Sequence, residues 1–445
     1  MCGIAGFWSP DQTVRDGEAV LKTMTDAIAH RGPDADGQWS DGNAGIFLGH
    51  RRLSILDLSP AGAQPMLSAS GRFVITFNGE IYNFHELRRG LEQTGVRFRG
   101  HSDTEVLVEG MDAWGIAATL RRAAGMFAFG VWDRQERTLT LGRDRVGEKP
   151  LYYGWSGRSF LFGSELKALR KHPHWRGEID RNALSVFLRH NYIPAPYSIY
   201  THASKLRPGH LLTVSADGTL AEVPYWSMKD IAARGAADPF TGTAAEAEAE
   251  LHAVMSNTVR EEMVADVPLG AFLSGGIDSS LVVALMQAHS TRAVKTFTIK
   301  FDDPKYDESA HARAVADHLR TDHTELTVTA AEAREVIPQL PQIYDEPFSD
   351  SSQIPTYLVS KIARSKVTVS LSGDGGDEFF GGYPRYPFAV QMWERLQLGP
   401  YAARLVLAHG LRAIAAPGWD AMLRRAALPT PSPARRPRRR PSCTR

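Results

Sequence analysis

The stretch MCGIAGFW (residues 1–8) places one of the chain's two cysteines directly after the initiator methionine, ahead of a glycine and an apolar run typical of a β-strand. Removal of Met1 would leave Cys2 with a thiol and a free α-amino group. Such an amine titrates near ~7.7 and can serve as general base for its own thiol. The stretch therefore predicts an N-terminal nucleophile fixed by a strand, the alternative being an incidental cysteine at a frayed terminus.

Composition and charge are those of a globular chain without a nucleic-acid bias. The 445 residues are 43% hydrophobic and 23% charged, and the net charge is +1 with six arginines in the last fifteen residues. This length predicts two domains. Two distant cysteines make no disulfide framework, which indicates a reducing compartment. Since no signal peptide or long apolar run is present, we expect a cytoplasmic protein with no membrane or nucleic-acid partner.

The hydrophobic pattern changes midway along the chain. Up to about residue 155, short β-type runs such as GRFVITFNGEIYN alternate with turn residues, which favours packed antiparallel sheets with a few helices. From a helical pattern beginning near residue 245, strands alternate with helices instead, which favours a parallel sheet covered by helices. The Ala- and Gly-rich stretch IAARGAADPFTGTAA between them is interpreted as a linker.

Polar motifs in the first half supply groups suited to a free amino acid that carries a carboxamide. Arg52 offers a guanidinium that can hold an α-carboxylate through two parallel hydrogen bonds, while Glu80 and Asp103 can hold an α-ammonium. Asn78 beside the Gly79 N–H can form an oxyanion hole. A hairpin turn is the alternative interpretation of the NGE sequence alone.

The second half contains FLSGGIDSS (residues 272–280), where an apolar strand gives way to a helix. Backbone N–H groups around Gly275 and Gly276, the helix N-terminus and the hydroxyls of Ser279 and Ser280 predict an anion site suited to pyrophosphate. The chain lacks the GxxxxGK[ST] pattern, which argues against a P-loop kinase or GTPase site.

A second glycine-rich loop, LSGDGGDEFFGGY (residues 371–383), carries carboxylates. Magnesium prefers oxygen ligands and is usually held by one or two carboxylates together with substrate phosphates. Asp278 and Asp377 are therefore candidate ligands for Mg²⁺ in a Mg–ATP complex. The spacing of the loop does not fit a calcium-binding EF-hand.

Together these motifs, with AHRGPDADG in the first half, resemble the glutamine-hydrolysing asparagine synthetase family. The resemblance implies an α+β N-terminal-nucleophile sandwich, with antiparallel sheets between helices, followed by an α/β parallel-sheet domain of the ATP-pyrophosphatase type. We expect a class II glutamine amidotransferase domain at residues 2–207, a connecting segment at 208–243 and a synthetase domain at 244–425. The Pro/Arg-rich end, residues 426–445, is expected to be disordered because it lacks apolar periodicity.

The resemblance also implies a two-site reaction with ATP and Mg²⁺ as cofactors. Cys2 hydrolyses glutamine, and the ammonia amidates an adenylated carboxylate, with aspartate to asparagine as the leading reaction and AMP and PPi as products. The residues implied for glutamine are Arg52, Leu53, Ser54, Asn78, Gly79, Glu80 and Asp103, with Asn78 and Gly79 catalytic beside Cys2. The residues implied for ATP are Leu273, Ser274, Gly275, Gly276, Asp278, Ser279, Ile299, Ser372 and Gly373, with Asp374 as the acidic residue of adenylate chemistry.

Two features leave alternatives open. The segment YDEPFSDSSQIPTYL (residues 344–358) differs from the Thr/Arg-containing stretch of some bacterial members near the acceptor site, so another carboxylate, for example in surface-polysaccharide biosynthesis, is an alternative acceptor. Family members usually continue past this point, so we interpret the end of the sequence as a truncated or frameshifted reading frame. Retention of glutaminase activity alone, or a role as a non-catalytic partner, is then a further alternative. Small molecules are the expected partners, and a homodimer is left open.

Overall fold

The computed structural model describes residues 1–302, 307–415, 417–419 and 421–422. Its first part is a sandwich of two antiparallel six-stranded sheets, one in the order β10-β8-β9-β1-β3-β2 and the other β12-β11-β7-β6-β5-β4. The strands are β1 (Gly3–Trp8), β2 (Ala35–Asp41), β3 (Ile46–Arg52), β4 (Met66–Leu67), β5 (Phe73–Ile81), β6 (Gly125–Asp133), β7 (Thr138–Arg143), β8 (Tyr152–Ser156), β9 (Ser159–Gly163), β10 (Ser204–Lys205), β11 (His210–Val214) and β12 (Leu220–Pro224).

Helices cover both outer faces of the sandwich. They are α1 (Gly17–Asp26), α2 (Phe84–Gln93), α3 (Asp103–Trp114), α4 (Ile116–Arg122), α5 (Leu166–Leu169) and α6 (Arg181–His190). Helix α1 packs on the sheet that contains β1, and α2 and α3 pack on the sheet that contains β5. Between the sheets lies a third apolar cluster, in which Trp8 from β1 meets Trp132 from β6. The predicted N-terminal-nucleophile sandwich is confirmed.

Two strands of this sandwich lie in the segment that the sequence assigned to the connection. β11 pairs with β7, and β12 pairs with β11, so that the second sheet extends to Pro224. The side chains of Leu211, Leu212 and Val214 are buried in this arrangement. After β12, the exposed helix α7 (Met228–Ala237) leads toward the second sheet region.

The second region is a parallel sheet covered by helices, as the sequence predicts. Its strands β13 (Leu269–Phe272), β14 (Lys295–Phe301), β15 (Asp322–Val328) and β16 (Val369–Leu371) run in the order β15-β14-β13-β16, and every pairing is parallel. The helices of this region are α8 (Ala244–Glu262), α9 (Ile277–His289), α10 (Ser309–Leu319), α11 (Ala330–Val336), α12 (Leu340–Ile343) and α13 (Gln353–Arg364). Helices α8, α9 and α10 pack on one face of the sheet and α13 on the other.

A separate compact unit begins at Asp374. It contains α14 (Gly376–Phe380), α15 (Arg385–Gln397) and α16 (Tyr401–Ala413). Within it, the Tyr383 hydroxyl donates a hydrogen bond to Glu378 (2.7 Å) and the Arg385 guanidinium lies over the Tyr383 ring. The tail predicted at residues 426–445 falls outside the described residues. No helix in the described part of the chain is long and apolar enough to cross a membrane.

Candidate active site

Strand pairing fixes the N-terminus at one end of the sandwich. β1 lies between β3 and β9, with Gly3 opposite Arg51. The Arg31 Nε donates to the Cys2 carbonyl oxygen (2.9 Å), and the Ile4 N–H donates to a serine hydroxyl beyond β9 (3.0 Å). These contacts hold the terminus in place, in contrast to the frayed end that was the alternative.

The β-pleat brings Cys2 and Asn78 toward each other. Side chains two residues apart lie on the same face of a strand, so Cys2 shares a face with Ile4 and Trp8, which are buried between the sheets. On β5, Asn78 likewise shares a face with Val74, which belongs to the same inner cluster. Both side chains line one cleft of about 550 Å³, its open mouth included.

The cleft collects most of the residues predicted to contact glutamine. Ser54 is the exception and does not line the cleft. Its backbone N–H donates a hydrogen bond to Asp34 Oδ2 (2.9 Å). The lining residues are Met1, Cys2, Arg52, Leu53, Ile55, Leu56, Gly62, Gln64, Phe77, Asn78, Gly79, Glu80, Ser102, Asp103, Thr104, Met126 and Lys149.

The thiol of Cys2 is partly buried and faces the backbone of Leu53. The Sγ lies 3.4 Å from the Leu53 N and 3.5 Å from its carbonyl oxygen. Burial raises the pKa of the Cys2 thiol, and the Leu53 N–H opposes this shift only in part. The thiol is thus neutral near pH 7 and needs a base to become a nucleophile.

The amine at the N-terminus lies in surroundings that favour its neutral form. Burial lowers the pKa of the Met1 amine to about 5, and the charges of Arg31 and Lys149 act in the same direction. A neutral amine at pH 7 has a lone pair that can accept a proton.

Asn78 presents an amide with unused hydrogen-bonding capacity. Its side chain is fully buried, yet neither the Oδ1 nor the Nδ2 has a hydrogen-bond partner among the described residues. A buried amide without partners costs about 1–3 kcal/mol, so its persistence beside a cleft points to a ligand group as the missing partner. At the next position, a Cβ on Gly79 would lie only 2.2 Å from the Met126 carbonyl oxygen, so only glycine fits.

Two acidic side chains face the same cleft. Burial, followed by the charge of Asp103, raises the pKa of Glu80 to about 7. Burial also raises the pKa of Asp103 to about 6, although its carboxylate accepts hydrogen bonds from the N–H groups of Ile81 (2.9 Å) and Thr104 (2.8 Å). Two carboxylates kept out of water and close together attract a cation strongly when they are ionised.

Arg52 anchors the loop that follows β3. Its guanidinium donates to the carbonyl oxygens of Leu56 (3.3 Å), Asp57 and Ser59 (3.4 Å). The parallel-sheet region holds the same loop from outside, because Asp266 accepts a hydrogen bond from the Asp57 N–H (2.8 Å) and its own N–H donates to the Ile55 carbonyl (2.9 Å). One wall of the cleft is therefore shared between both parts of the chain.

Sequence analysis did not identify Gln64 or Lys149. Gln64 accepts a hydrogen bond from the Phe77 N–H (2.7 Å) and donates to the Thr104 hydroxyl (3.2 Å), which ties β5 to the start of α3. Lys149 is a buried lysine whose Nζ lies 3.2 Å from the Met1 sulfur. Burial lowers the pKa of Lys149, although nearby acids such as Glu80 oppose this shift. Its place directly before the strand-forming run PLYY is a weak signal, since most lysines are exposed.

The predicted pyrophosphate loop lies at the carboxyl end of β13, before α9. Gly276 is the N-cap of α9, and Gly275 has φ +78°, where a Cβ would lie 2.6 Å from the Ala312 N. Hydroxyl contacts brace the turn: Ser274 Oγ lies 2.9 Å from Ser279 Oγ and accepts a hydrogen bond from the Gly276 N–H (3.2 Å). A loop of this shape turns N–H groups outward at a helix N-terminus, which suits an anion.

The other predicted ATP residues divide between nearby strands and the second unit. Leu273 is buried below the loop, and its N–H donates to the Phe297 carbonyl (2.9 Å). Gly373 follows Ser372 after β16 and packs so closely on the start of α9 that a Cβ there would lie 2.6 Å from the Ser279 N. Ile299 lies on β14, two residues beyond Phe297.

Asp374 and Asp377 belong to the second compact unit. The described residues contain no group of three or more His, Cys, Asp or Glu side chains arranged to hold a metal ion. In the pyrophosphate loop itself, Asp278 in the first turn of α9 is the carboxylate available for Mg²⁺. One carboxylate together with substrate phosphates is a usual magnesium environment.

Family models match both parts of the chain. A glutamine amidotransferase domain matches residues 1–226, and asparagine synthase matches residues 250–441. A putative glutamine-hydrolysing asparagine synthetase 2 of Methanocaldococcus jannaschii is 38% identical over 86% of this chain and 76% of its own length. Asparagine synthetase 1 of Bacillus subtilis is 35% identical over 90% of this chain.

The chain spans 62% of the length of that B. subtilis relative. Among solved structures, glutamine phosphoribosylpyrophosphate amidotransferase from B. subtilis covers 73% of this chain and 65% of its own at a TM-score of 0.39 and 16% identity, a likeness too low to bear on fold or function. The two family models and the sequence relatives show that the chain belongs to the glutamine-hydrolysing asparagine synthetase family.

Proposed function

We propose that this chain hydrolyses glutamine at Cys2 and passes the ammonia to a carboxylate activated by ATP, with aspartate as the first candidate acceptor. The observation that carries the glutaminase half is the buried, unpartnered amide of Asn78, which lines the same cleft as the Cys2 thiol. The products of the complete reaction would be glutamate, asparagine, AMP and PPi.

In the glutaminase step, the Cys2 thiol attacks the carboxamide carbon of glutamine. The α-amine of Cys2, exposed by removal of Met1, takes the thiol proton, since an N-terminal amine can act as general base for a nucleophile on the same residue. The negative charge on the substrate oxygen would meet the Asn78 Nδ2 and the Gly79 N–H. The protonated α-amine returns its proton to the nitrogen of this intermediate, whose collapse releases ammonia and leaves a thioester that water hydrolyses to glutamate.

The remainder of the cleft fits the amino-acid end of glutamine. Arg52 lies on one wall to hold the α-carboxylate, and Glu80 and Asp103 lie on another to hold the α-ammonium. These groups do not change charge during the reaction, so their contribution is to bind and orient the substrate.

In the synthetase step, the loop from Ser274 to Ser280 would hold the phosphates of ATP while the acceptor carboxylate attacks the α-phosphate. A carboxylate is a poor acceptor of ammonia until adenylation provides a leaving group. Bound Mg²⁺, with Asp278 and Asp377 as proposed ligands, would offset the charge of the departing pyrophosphate. Asp374 is proposed as the acidic residue of this chemistry.

The test is a joint assay of glutamate and PPi with ATP and a panel of carboxylate acceptors. Cys2→Ala should abolish glutamate formation, because no other residue would supply a thiol beside an N-terminal amine, while PPi formation with ammonium salts should persist. Cys443→Ala, which alters the other cysteine, is the matched control and should leave both products unchanged.

Three results, two from this assay and one from intact-mass analysis, would contradict the proposal. Glutamate formation by Cys2→Ala at the wild-type rate, or an intact mass showing Met1 retained in active enzyme, would exclude Cys2 as the N-terminal nucleophile. PPi formation that is independent of every carboxylate in the panel would exclude the synthetase half. A response to a carboxylate other than aspartate would identify the acceptor.

A further inference from the structure

Two consecutive carboxylates of the parallel-sheet region are inserted into the antiparallel sandwich. Asp345 and Glu346 follow α12, and their side chains are 7% and 9% exposed. Asp345 Oδ2 accepts a hydrogen bond from the Lys167 backbone N–H (2.9 Å), and its Oδ1 lies 3.4 Å from the Lys167 Nζ. Lys167 belongs to α5, directly after the strand that pairs with β1.

Glu346 has its own partners in the sandwich. It accepts hydrogen bonds from the Ile199 N–H (2.7 Å) and the Tyr152 hydroxyl (3.1 Å), and it forms an ion pair with Lys205 (2.5 Å). The Lys205 Nζ also donates to the Ile193 carbonyl oxygen. Both carboxylates thus fasten the same segment to the same sandwich, through one lysine each.

The two lysines differ in what lies beyond them. Lys167 also forms an ion pair with Glu165, and Glu165 Oε1 accepts from Arg31 Nη1 (2.7 Å). The same guanidinium donates through its Nε to the carbonyl oxygen of Cys2 (2.9 Å). A continuous chain of charged groups, Asp345–Lys167–Glu165–Arg31, therefore ends on the backbone of the proposed nucleophile.

Burial makes this chain of ion pairs rigid. The side chains of Arg31 and Glu165 are about one-tenth exposed. Although burial by itself would raise it, the pKa of Glu165 is lowered to about 2 by His30, Arg31 and Lys167. Such a carboxylate remains ionised across the working range of pH, and loss of one buried partner leaves the next charge uncompensated.

We infer that Lys167 and Glu165 are positioning residues that set the orientation of Cys2 through Arg31. Through the same ion pairs, the orientation of Cys2 depends on the position of the segment that carries Asp345. This inference rests on the proposed glutaminase function. Cys2 directly precedes β1, and the hydrogen bond from Arg31 to its carbonyl oxygen holds its backbone, while the contacts with Leu53 hold its thiol. Misplacement of a reacting group by about 1 Å can cost about a hundredfold in rate.

The pairing of Lys205 with Glu346 provides a matched control. Lys205→Met removes a partly buried lysine that binds the same inserted segment through Glu346. The other hydrogen bond of the Lys205 Nζ goes to the Ile193 carbonyl oxygen and not to the ion pairs that reach Cys2. Lys167→Met removes the corresponding charge on the chain that reaches Cys2. Lys167→Arg keeps the charge and can bridge the same two carboxylates.

The experiment compares these variants of the full chain by glutamate release and by the rate at which iodoacetamide alkylates Cys2, followed by mass spectrometry of the N-terminal peptide. We expect Lys167→Met and Glu165→Gln to lower kcat about tenfold, with the KM for glutamine within about twofold of wild type. The alkylation rate should change in the same two variants. Lys167→Arg should recover most of both losses, and Lys205→Met should stay within about twofold of wild type.

Equal losses in Lys167→Met and Lys205→Met would overturn the inference, since they would show that both pairs only hold the two parts together. A raised KM at unchanged kcat in Lys167→Met would overturn it as well. If the wild-type chain releases no glutamate, the proposed function fails by itself, and the alkylation rates alone still decide whether the chain of ion pairs positions Cys2.

Discussion

The cleft beside Cys2 and the proposed pyrophosphate loop represent two different ways to build a site. The cleft is lined by residues of the first part of the chain, and its amide Asn78 and its acids Glu80 and Asp103 are buried. The loop is more open: Ile277 at the start of α9 is 72% exposed, and Asp374 and Asp377 belong to a separate unit. The groups of the first site are thus set before any ligand binds.

This difference has an energetic consequence. In the cleft, burial raises the pKa values of Glu80 and Asp103, and the buried Asn78 amide has no hydrogen-bond partner among the described residues. The folded state is therefore less stable by the free energy needed to hold these groups in place before a ligand binds. At the loop, serine hydroxyls and backbone N–H groups satisfy one another, as Ser274 and Ser279 do. Substitution of the unpartnered Asn78 amide should therefore act on the rate of chemistry, whereas substitution of the charged groups that line the cleft should act on substrate binding.

The largest effect should come from Asn78→Ala, which removes a donor proposed to face charge only in the transition state. We expect the glutaminase kcat to fall about 10²–10³-fold with little change in KM. Steady-state glutaminase kinetics measure both constants. Asn182→Ala, which deletes an exposed amide in the first turn of α6, is the control and should leave both kcat and KM unchanged. An unchanged kcat in Asn78→Ala would show that its unpartnered amide has no catalytic part.

The next effect should separate the two sites. Asp278→Asn should lower ATP-dependent PPi release about 10–100-fold, because it removes a charge proposed to hold Mg²⁺, and leave glutamate release within about twofold. Asp322→Asn makes the same change at an exposed residue at the amino end of β15, opposite to the loop. Equal PPi losses in both variants would mean that the charge at Asp278 has no specific role.

Much of the difference between the two sites was predictable from the sequence, because local patterns of apolar and turn residues determine the strands and turns around them. The apolar, β-type runs at β1 and β5 predict strands beside Cys2 and through Asn78, and FLSGGIDSS predicts the turn between β13 and α9. Other features depend on contacts between distant residues. β11 is a strand because it pairs with β7, some seventy residues earlier in the chain.

The missed residues of the cleft share this long-range origin. Lys149 lies in the cleft, where its Nζ contacts the side chain of Met1, the first residue of the chain. A lysine in the sequence normally indicates a solvated surface. The role of Asp266 in holding the loop after β3 joins residues more than two hundred positions apart. No single motif contains either contact, so neither could be read from spacing.

Withdrawal of the two acids from water predicts a pH dependence for the cleft. With pKa values near 7 for Glu80 and 6 for Asp103, each gains a proton as the pH falls through these values, and the negative charge that would hold the α-ammonium is lost. The kcat/KM for glutamine should therefore fall by up to about tenfold per pH unit for each proton taken up, and be restored at higher pH.

A pH series from 8 to 5.5 with a thermal-melting control measures this effect. Glu80→Gln has no charge at position 80 at any pH. It should therefore lower kcat/KM at pH 8 and flatten the upper part of the pH profile. A flat wild-type profile across the series would mean that neither acid contacts the substrate in its ionised form.

The smallest effect should come from Asp266, through which the parallel-sheet region holds the loop that lines the cleft. Asp266→Ala removes the acceptor of the Asp57 N–H hydrogen bond and the contact between Asp266 Oδ2 and His101 Nε2 (2.9 Å), while Arg52 continues to hold the loop. A hydrogen bond of this kind contributes about 0.5–1.5 kcal/mol, so the KM for glutamine should rise about two- to tenfold while kcat is retained. Asp266→Asn keeps an oxygen acceptor and should stay within about twofold. A lower kcat with unchanged KM in Asp266→Ala would instead show that the loop after β3 positions the nucleophile rather than the substrate. The chemistry of the cleft would then depend on the parallel-sheet region.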